Sequence, residues 1–339
     1  MSDAASVLSP AEAILRGPDP AALRFAVLAP LTGAMGVVGP AILNGTRLAA
    51  ESAAARHGRR IDLVLVDAGR EAATVAAEMR TVVAGGAVDG IVGAHTSDVR
   101  IAVEHAIAGT VPYVFTPPHE LDVIRGETMF LGTGPRAQIA APLARLCGQE
   151  RIRRWALVGN DYVWPRLLHR SAREVLPALG GSVIAEHFVP VGRFDPDRLV
   201  SEVLASGADG VLVSLIGRDG IAFHRSFARA DAGRTVVRLC TALDEACLLS
   251  VGGDDEGDLF SAMPSFVLQD DQAHRELAHD YRERFGPAAP ALGAYAEGAH
   301  DGVRLLADLV ALGGARPGPA DVEVRLARAE GFALAPVPV

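Results

Sequence analysis

The stretch that decides the fold is Trp155-Ala156-Leu157-Val158-Gly159-Asn160-Asp161-Tyr162-Val163-Trp164-Pro165-Arg166. Its apolar start predicts a buried strand, and Pro165 suits the first turn of a helix placed directly behind it. A strand handed straight to a helix is the βα step of a parallel sheet. In such a sheet, ligands bind in the loops beyond the carboxyl ends of the strands. Both tryptophans and one of the four tyrosines fall here, in a chain with only 5% aromatic residues. Trp155 reads as strand core. Tyr162 and Trp164 read as pocket walls, and Asp161 as a polar neighbour or the cap of the helix.

The same step repeats on both sides of this stretch. Upstream, strands are predicted over 23–29, 61–67, 90–93 and 113–115, with helices over 41–56, 72–83 and 98–108. A short connecting strand over 129–131 and a helix over 138–147 follow. Downstream, strands over 155–159, 183–189, 210–214 and 236–241 alternate with helices over 165–179, 196–205, 219–230 and 244–249. A strand-like run over 259–263 leads to two long helices, over 270–285 and 294–312, and 313–319 breaks the chain. Alternation of this kind predicts an α/β protein with two Rossmann-like lobes, parallel sheets and right-handed crossovers. The expected division is an N-terminal extension over 1–22, a first lobe over 23–133 plus 264–315, and a second over 134–263 plus 316–339. The cleft expected between the lobes is a favoured place for a small-molecule pocket.

Composition narrows the function. At 339 residues and 50% hydrophobic, the chain can bury two cores. Its basic residues are all arginine, which reflects composition and not arginine-specific recognition. A formal charge of −9 opposes direct nucleic-acid binding. Cys147, Cys240 and Cys247 are too few and too odd in number for a disulfide framework, and they lack the further ligands of a zinc site. The first 20 residues hold Asp3, Glu12 and Asp19 against a single Arg16, without a basic leader or a continuous apolar core. The expected location is cytoplasmic, or periplasmic if a leader lies upstream. No apolar run of membrane-spanning length is present, so no membrane insertion is expected.

Several enzymatic signatures are missing. There is no Gly-x-Ser-x-Gly elbow and no His-Glu-x-x-His helix, and Gly132-Thr133-Gly134-Pro135 lacks the lysine of a phosphate loop. The acidic run Asp254-Asp255-Glu256-Gly257-Asp258 lacks the spaced oxygen ligands of a calcium loop and reads as solvated. No catalytic residue, metal or cofactor is expected.

The order of segments resembles the type I periplasmic-binding-protein superfamily, in its branch of branched-chain amino-acid, urea and amide binders. The likeness is carried by Leu28 to Gly39, Asn44-Gly45, Leu48 to Glu51, Val92 to Ser97, Gly132 to Pro135 and Ala294 to Glu297. It spans about residues 23 to 312 in the correct order. Within that branch, Ser97 with Arg100, Tyr113 to Glu120, Gly134 to Leu143 and Gly159 to Arg166 are most similar to the cytoplasmic amide sensors that control an aliphatic amidase operon. The resemblance implies two lobes joined by a hinge that close over a small amide, urea or amino-acid-like ligand. It also implies a regulatory protein partner of the antiterminator type, and it leaves open a homo-oligomer. The alternative function it implies is the substrate-binding component of an ABC importer for amides, urea or branched-chain amino acids.

Candidate ligand residues follow from both lines. Ser97 begins a helix after the third strand, where its hydroxyl and the free N–H groups can meet a carbonyl or carboxylate, or where it is a simple N-cap. His95 and Thr96 share its loop, with His95 expected as a pocket wall. Thr116 and Pro117 follow the fourth strand, as ligand contacts or as a Pro-rich turn. Tyr162 offers a phenol and Trp164 an apolar ring, suited to a small neutral amide. Ser214 to Gly217 bring backbone close to the ligand in the second lobe. Asp244 and Glu245 hold an amine or amide N–H, or merely complement a helix dipole. Phe115-Thr116-Pro117-Pro118-His119 departs from the sensors' usual Tyr-Pro-Thr-Pro-Tyr. Trp164 stands where they have a tyrosine, and His95 replaces another ring. These departures point to a larger or less polar ligand than acetamide. The chain also ends sooner than the sensors, at Val339.

Overall fold

The computed structural model describes residues 5–121, 128–230, 236–253, 258–311 and 335–336. Most of the acidic run, the predicted break over 313–319 and the lobe segments beyond 311 lie outside the described residues, apart from 335–336. The described residues fall into two compact α/β units. Residues 5–117, 128–132 and 267–311 form unit 1; residues 118–121, 133–230, 236–253, 258–266 and 335–336 form unit 2.

Unit 1 contains β1 (Val7–Leu8), α1 (Pro10–Arg16), β2 (Ala22–Ala29), α2 (Gly39–His57), β3 (Arg60–Asp67), α3 (Ala72–Ala84), β4 (Gly90–Gly93), α4 (Ser97–Ile107), β5 (Tyr113–Phe115) and β6 (Thr128–Phe130). Unit 2 contains α5 (Pro135–Gly148), β7 (Arg154–Asn160), α6 (Val163–Val175), β8 (Ser182–Val189), α7 (Pro196–Ala205), β9 (Gly210–Ser214), α8 (Gly217–Arg229), β10 (Val237–Cys240), α9 (Glu245–Val251) and β11 (Leu259–Ser261). The chain then returns to unit 1 through α10 (Gln272–Phe285) and α11 (Ala294–Ala311), while β12 (Ala335–Pro336) joins unit 2.

The sheet of unit 1 runs β1-β3-β2-β4-β5-β6, with every pairing parallel. All eight residues of β2 are buried, the continuous apolar signature of a strand covered on both faces. Helix α3 packs on α4 and helix α2 on α11, which also lies on β4 and β5. Residues 1–22, left outside the lobes by the sequence reading, carry β1 as the sheet's sixth strand and α1. The buried Arg24 guanidinium ties that segment down by donating to the carbonyls of Ala13 (3.3 Å) and Gly17.

The sheet of unit 2 runs β12-β11-β10-β9-β7-β8, parallel except for β12. Helix α5 packs on α6, and α8 on both α7 and α9. Trp155 is fully buried in β7. The predicted single helix over 165–179 is instead α6 followed by a 3-10 turn, Leu176–Leu179, at Pro177. Proline has no N–H to continue an α-helical ladder.

Both sheets reverse their strand order after the first long strand. In unit 1 the chain steps from β2 to β3, then crosses back to β4 on the other side of β2. In unit 2 it steps from β7 to β8, then back to β9. The carboxyl ends of β2 and β4, and of β7 and β9, are therefore the topological switch points where an open α/β sheet leaves a crevice.

Candidate functional site

At the switch point of unit 1, the loop after β2 is held by Asp67, the last residue of β3. Its carboxylate accepts from Leu31 N (2.9 Å), Thr32 N (3.2 Å), Thr32 Oγ1 (2.7 Å) and Gly69 N (2.9 Å). Burial pushes the Asp67 carboxyl up, but these donors outweigh it and hold it below the usual range. A Cβ on Gly69 would lie 2.0 Å from the Thr32 carbonyl oxygen, so only glycine permits the approach.

The other side of this edge is the turn from β4 into α4. Thr96 is the N-cap residue and makes no side-chain cap hydrogen bond; Ser97, buried, is the first helical residue. The simple N-cap role considered for Ser97 thus falls one residue earlier. His95, expected as a pocket wall, is fixed by hydrogen bonds at both ring nitrogens. It is buried, with Nδ1 3.0 Å from the Thr96 carbonyl oxygen and Nε2 2.9 Å from the Tyr113 hydroxyl. The carbonyl requires an N–H at Nδ1, so Tyr113 donates to Nε2. Burial depresses the imidazole to about 4, with the Thr96 carbonyl opposing. His95 is therefore a neutral strut that sets the loop leading to Ser97. Thr116, after β5, donates to the Gly93 carbonyl from N (2.9 Å) and Oγ1 (3.3 Å), with Pro117 buried beside it.

At the switch point of unit 2, Tyr162 is the N-cap residue of α6, half-buried, and its ring lies 6.3 Å from that of buried Trp164. Asp161 does not cap this helix; it pairs with Arg166 at 2.6 Å on the surface. Asn160, the fully buried end of β7, was not singled out by the sequence reading. Its Oδ1 accepts from Ile216 N (2.9 Å), and its Nδ2 donates to Asp219 Oδ2 (2.7 Å). The same Asp219 oxygen accepts from Gly192 N (2.8 Å). Burial pushes the Asp219 carboxyl up, opposed by the donors from Gly192 and Asn160. Asp219 sits in the first turn of α8, where the sequence signal matches that of any dipole-complementing acid.

Ser214 turns its hydroxyl into the sheet, where Oγ donates to Val158 O (3.2 Å) and lies 2.9 Å from His169 Nε2. His169 also meets Glu186 through Nδ1 at 3.2 Å, and burial holds it down to about 4 against the pull of that carboxylate. The residue that opens α8, Gly217, has φ +46°, which favours glycine. Asp244 is the buried N-cap of α9 and accepts from Cys247 N (3.1 Å); burial raises its carboxyl. Glu245, half-buried, begins that helix.

The fold thus brings His95, Thr96, Ser97, Thr116 and Pro117 to the carboxyl edge of unit 1. Tyr162, Trp164, Ser214, Gly217, Asp244 and Glu245 come to the carboxyl edge of unit 2. Among the described residues, no group of three or more His, Cys, Asp or Glu side chains is placed to hold a metal ion. The three cysteines are free and buried, and no described helix is long and apolar enough to cross a membrane.

A family model described as "Periplasmic binding protein" matches residues 22–337. Among solved structures, a leucine-binding protein LivK from Thermotoga maritima is similar with a TM-score of 0.76 at 19% identity, over 91% of this chain and 87% of that one. A solute-binding protein of an ABC transporter from R. palustris, in complex with benzoate, gives 0.75 at 18% identity, over 91% and 84%. The branched-chain amino-acid transporter substrate-binding protein LivJ from Streptococcus pneumoniae, in complex with isoleucine, gives 0.74 at 16% identity, over 92% and 91%. At these identities the likeness establishes the fold.

Proposed function

The chain belongs to the periplasmic binding protein family, and from that premise we propose that it is the substrate-binding component of an ABC importer. Its ligand is a small molecule with a carboxylate or amide head and an apolar body. The observation that carries the reading is the amino end of α4. It emerges at the switch point of unit 1 with Ser97 in its first turn and without a side-chain cap bond from Thr96. Main-chain N–H groups and a hydroxyl at such an end are matched to a carboxylate or carbonyl oxygen. Thr96, Ser97, Thr116 and Pro117 are the contacts assigned in unit 1, with His95 as their support. In unit 2, Tyr162, Trp164, Gly217, Asp244 and Glu245 are the contacts assigned, with Ser214 turned inward as support.

Of the two functions drawn from the sequence, the importer component has the better support, because the similar solved structures include ABC transporter proteins that bind benzoate and isoleucine. The second reading is a cytoplasmic amide sensor with a regulatory protein partner, and it rests on the likeness of Ser97, Arg100 and Gly159 to Arg166 to such sensors. The two readings place the protein on opposite sides of the inner membrane, so cell fractionation separates them. Binding without turnover is common to both.

A thermal-shift screen with isoleucine, leucine, benzoate, acetamide and urea tests the reading. A selective ligand at 100 times its Kd adds about 2.7 kcal/mol to stability. A shift with isoleucine, leucine or benzoate supports the proposed ligand class and the importer component; a shift confined to acetamide or urea fits both the sensor and an importer for such ligands, and cell fractionation then decides between them. A melt unmoved by all five overturns the ligand class.

A further inference from the structure

We propose that Asn160 and Asp219 form a polar clip that positions the binding edge of unit 2, a role that rests on the function proposed above. Of the loops that leave that edge, the clip ties together those after β7, β8 and β9. Asn160 closes β7 and stands two residues before Tyr162. Its Oδ1 receives Ile216 N, just ahead of Gly217. Its Nδ2 reaches Asp219 Oδ2, which also receives Gly192 N from the loop after β8.

The polarity of the clip is fixed by its ends. A backbone N–H at Ile216 requires the oxygen of the Asn160 amide, so the nitrogen must face Asp219, and Asp219 must accept. Asn160 is fully buried and Asp219 nearly so, and buried polar groups of this kind are costly to leave unpaired. Neither side chain is needed to close a strand ladder, since β7 pairs through its main chain with β8 and β9. What they add is a fixed relation between the loop that carries Tyr162 and Trp164 and the loop that carries Gly217. Both residues are therefore positioning residues, not ligand contacts.

The test uses the full chain with three variants and two readouts. Amide hydrogen exchange at Gly192 and Ile216 reports the clip, and calorimetry with L-isoleucine and benzoate as probes reports binding. Asp219→Ala is expected to speed exchange at both amides about tenfold and to weaken whichever probe binds by a similar factor. Asp219→Asn keeps an oxygen in the same seat, so exchange and affinity are expected within about threefold of the parent. Asn160→Asp sets two carboxylates face to face, which raises their pKa values and repels at neutral pH. As the pH falls, a shared proton replaces the lost amide donor, so protection and affinity recover in this variant alone. The proposal is overturned if Asp219→Ala leaves both amides protected, or if its affinity matches that of Asp219→Asn. A pH profile for Asn160→Asp parallel to the parent's also overturns it. Absence of binding by either probe to the parent chain counts against the proposed function, and the clip is then judged on the exchange alone. Should Asp219→Ala fail to fold, the other two variants decide.

Discussion

Helices α4 and α8 occupy the same place in their two units, and they begin in opposite ways. Each follows the strand that lies across the switch point, β4 or β9. The first turn of α4 starts at Thr96 with no side-chain cap bond, and its acid, Asp98, is exposed. The first turn of α8 holds its own buried carboxylate, Asp219, already engaged by Asn160 and Gly192. A ligand oxygen is welcome at the first helix and would meet a resident negative group near the second. On the proposed function, the start of α4 is the oxygen-binding end of unit 1, whereas the edge of unit 2 offers rings and acceptors.

Acid should separate the units most strongly. Burial holds His95 in unit 1 to about 4, and His169 and His224 in unit 2 to about 4 and about 3. A histidine with a depressed folded pKa leaves the unfolded chain to take up protons first. Its stabilisation is full above about pH 6.5 and is lost as the pH falls through the folded value, at roughly 3 to 5 kcal/mol for each such group. Of these three groups, two lie in unit 2 and one in unit 1. His274 in unit 1 is raised, chiefly by its hydrogen bond to Glu297, so its contribution is retained in acid and lost only as the pH rises through its folded value. Burial raises Asp219 and Asp244, which favours folded unit 2 on acidification and opposes the two histidines there. Between pH 6.5 and 5, amide protection in β9 and β10, measured against the intrinsic exchange rate, is therefore expected to fall before that in β2 and β4. An equal fall in both would remove the contrast.

The fold was legible because its signal is redundant. Gly90–Gly93, Tyr113–Phe115 and Gly210–Ser214 match their predicted spans, since short apolar runs bounded by glycine, proline or polar residues leave little choice of register. The edge pieces β1 and β12 were not legible, because two residues have no period to read. The candidate site was legible only as loops. Sequence placed His95 after β4 and Ser214 at the end of β9, where the structure has them, but a side chain's direction depends on its partner. Tyr113 and Val158 are those partners, and no spacing announces them. Asn160 and Asp219 are 59 residues apart, so their pairing exists only after β7 and β9 lie side by side.

A smaller effect is expected at Asp67, the counterpart in unit 1 of the clip in unit 2. One carboxylate there does the work that Asn160 and Asp219 share. Asp67→Ala removes the acceptor for two main-chain donors of the loop after β2 and for Gly69 N. The site is only partly buried, so water replaces some of these bonds, and the loss is expected at about 2 kcal/mol in urea unfolding. The Asp67 carboxyl is held below its ordinary value, so this stability is full above about pH 4 and is lost as the pH falls through the folded value. A loss as large in Asp67→Asn as in Asp67→Ala would make charge, not hydrogen-bond acceptance, the cause.

The smallest effect on stability, and the most informative on binding, belongs to Thr96. Removing an N-cap side chain usually costs about 1 kcal/mol, because a bonded main-chain donor loses its acceptor. Asp271, whose carboxylate accepts from Ala273 N and His274 N at the start of α10, should behave in that way. Thr96 makes no such bond, so Thr96→Ala should shift unfolding by less than about 0.5 kcal/mol. Its effect should appear instead in the affinity for isoleucine or benzoate, whichever binds, because the hydroxyl lies where a ligand oxygen is proposed to sit. The two substitutions, measured side by side, separate a helix end built to be capped by its own chain from one left for a ligand. If Thr96→Ala costs as much stability as Asp271→Ala, α4 is capped by its own chain, and the asymmetry between α4 and α8 loses its functional meaning.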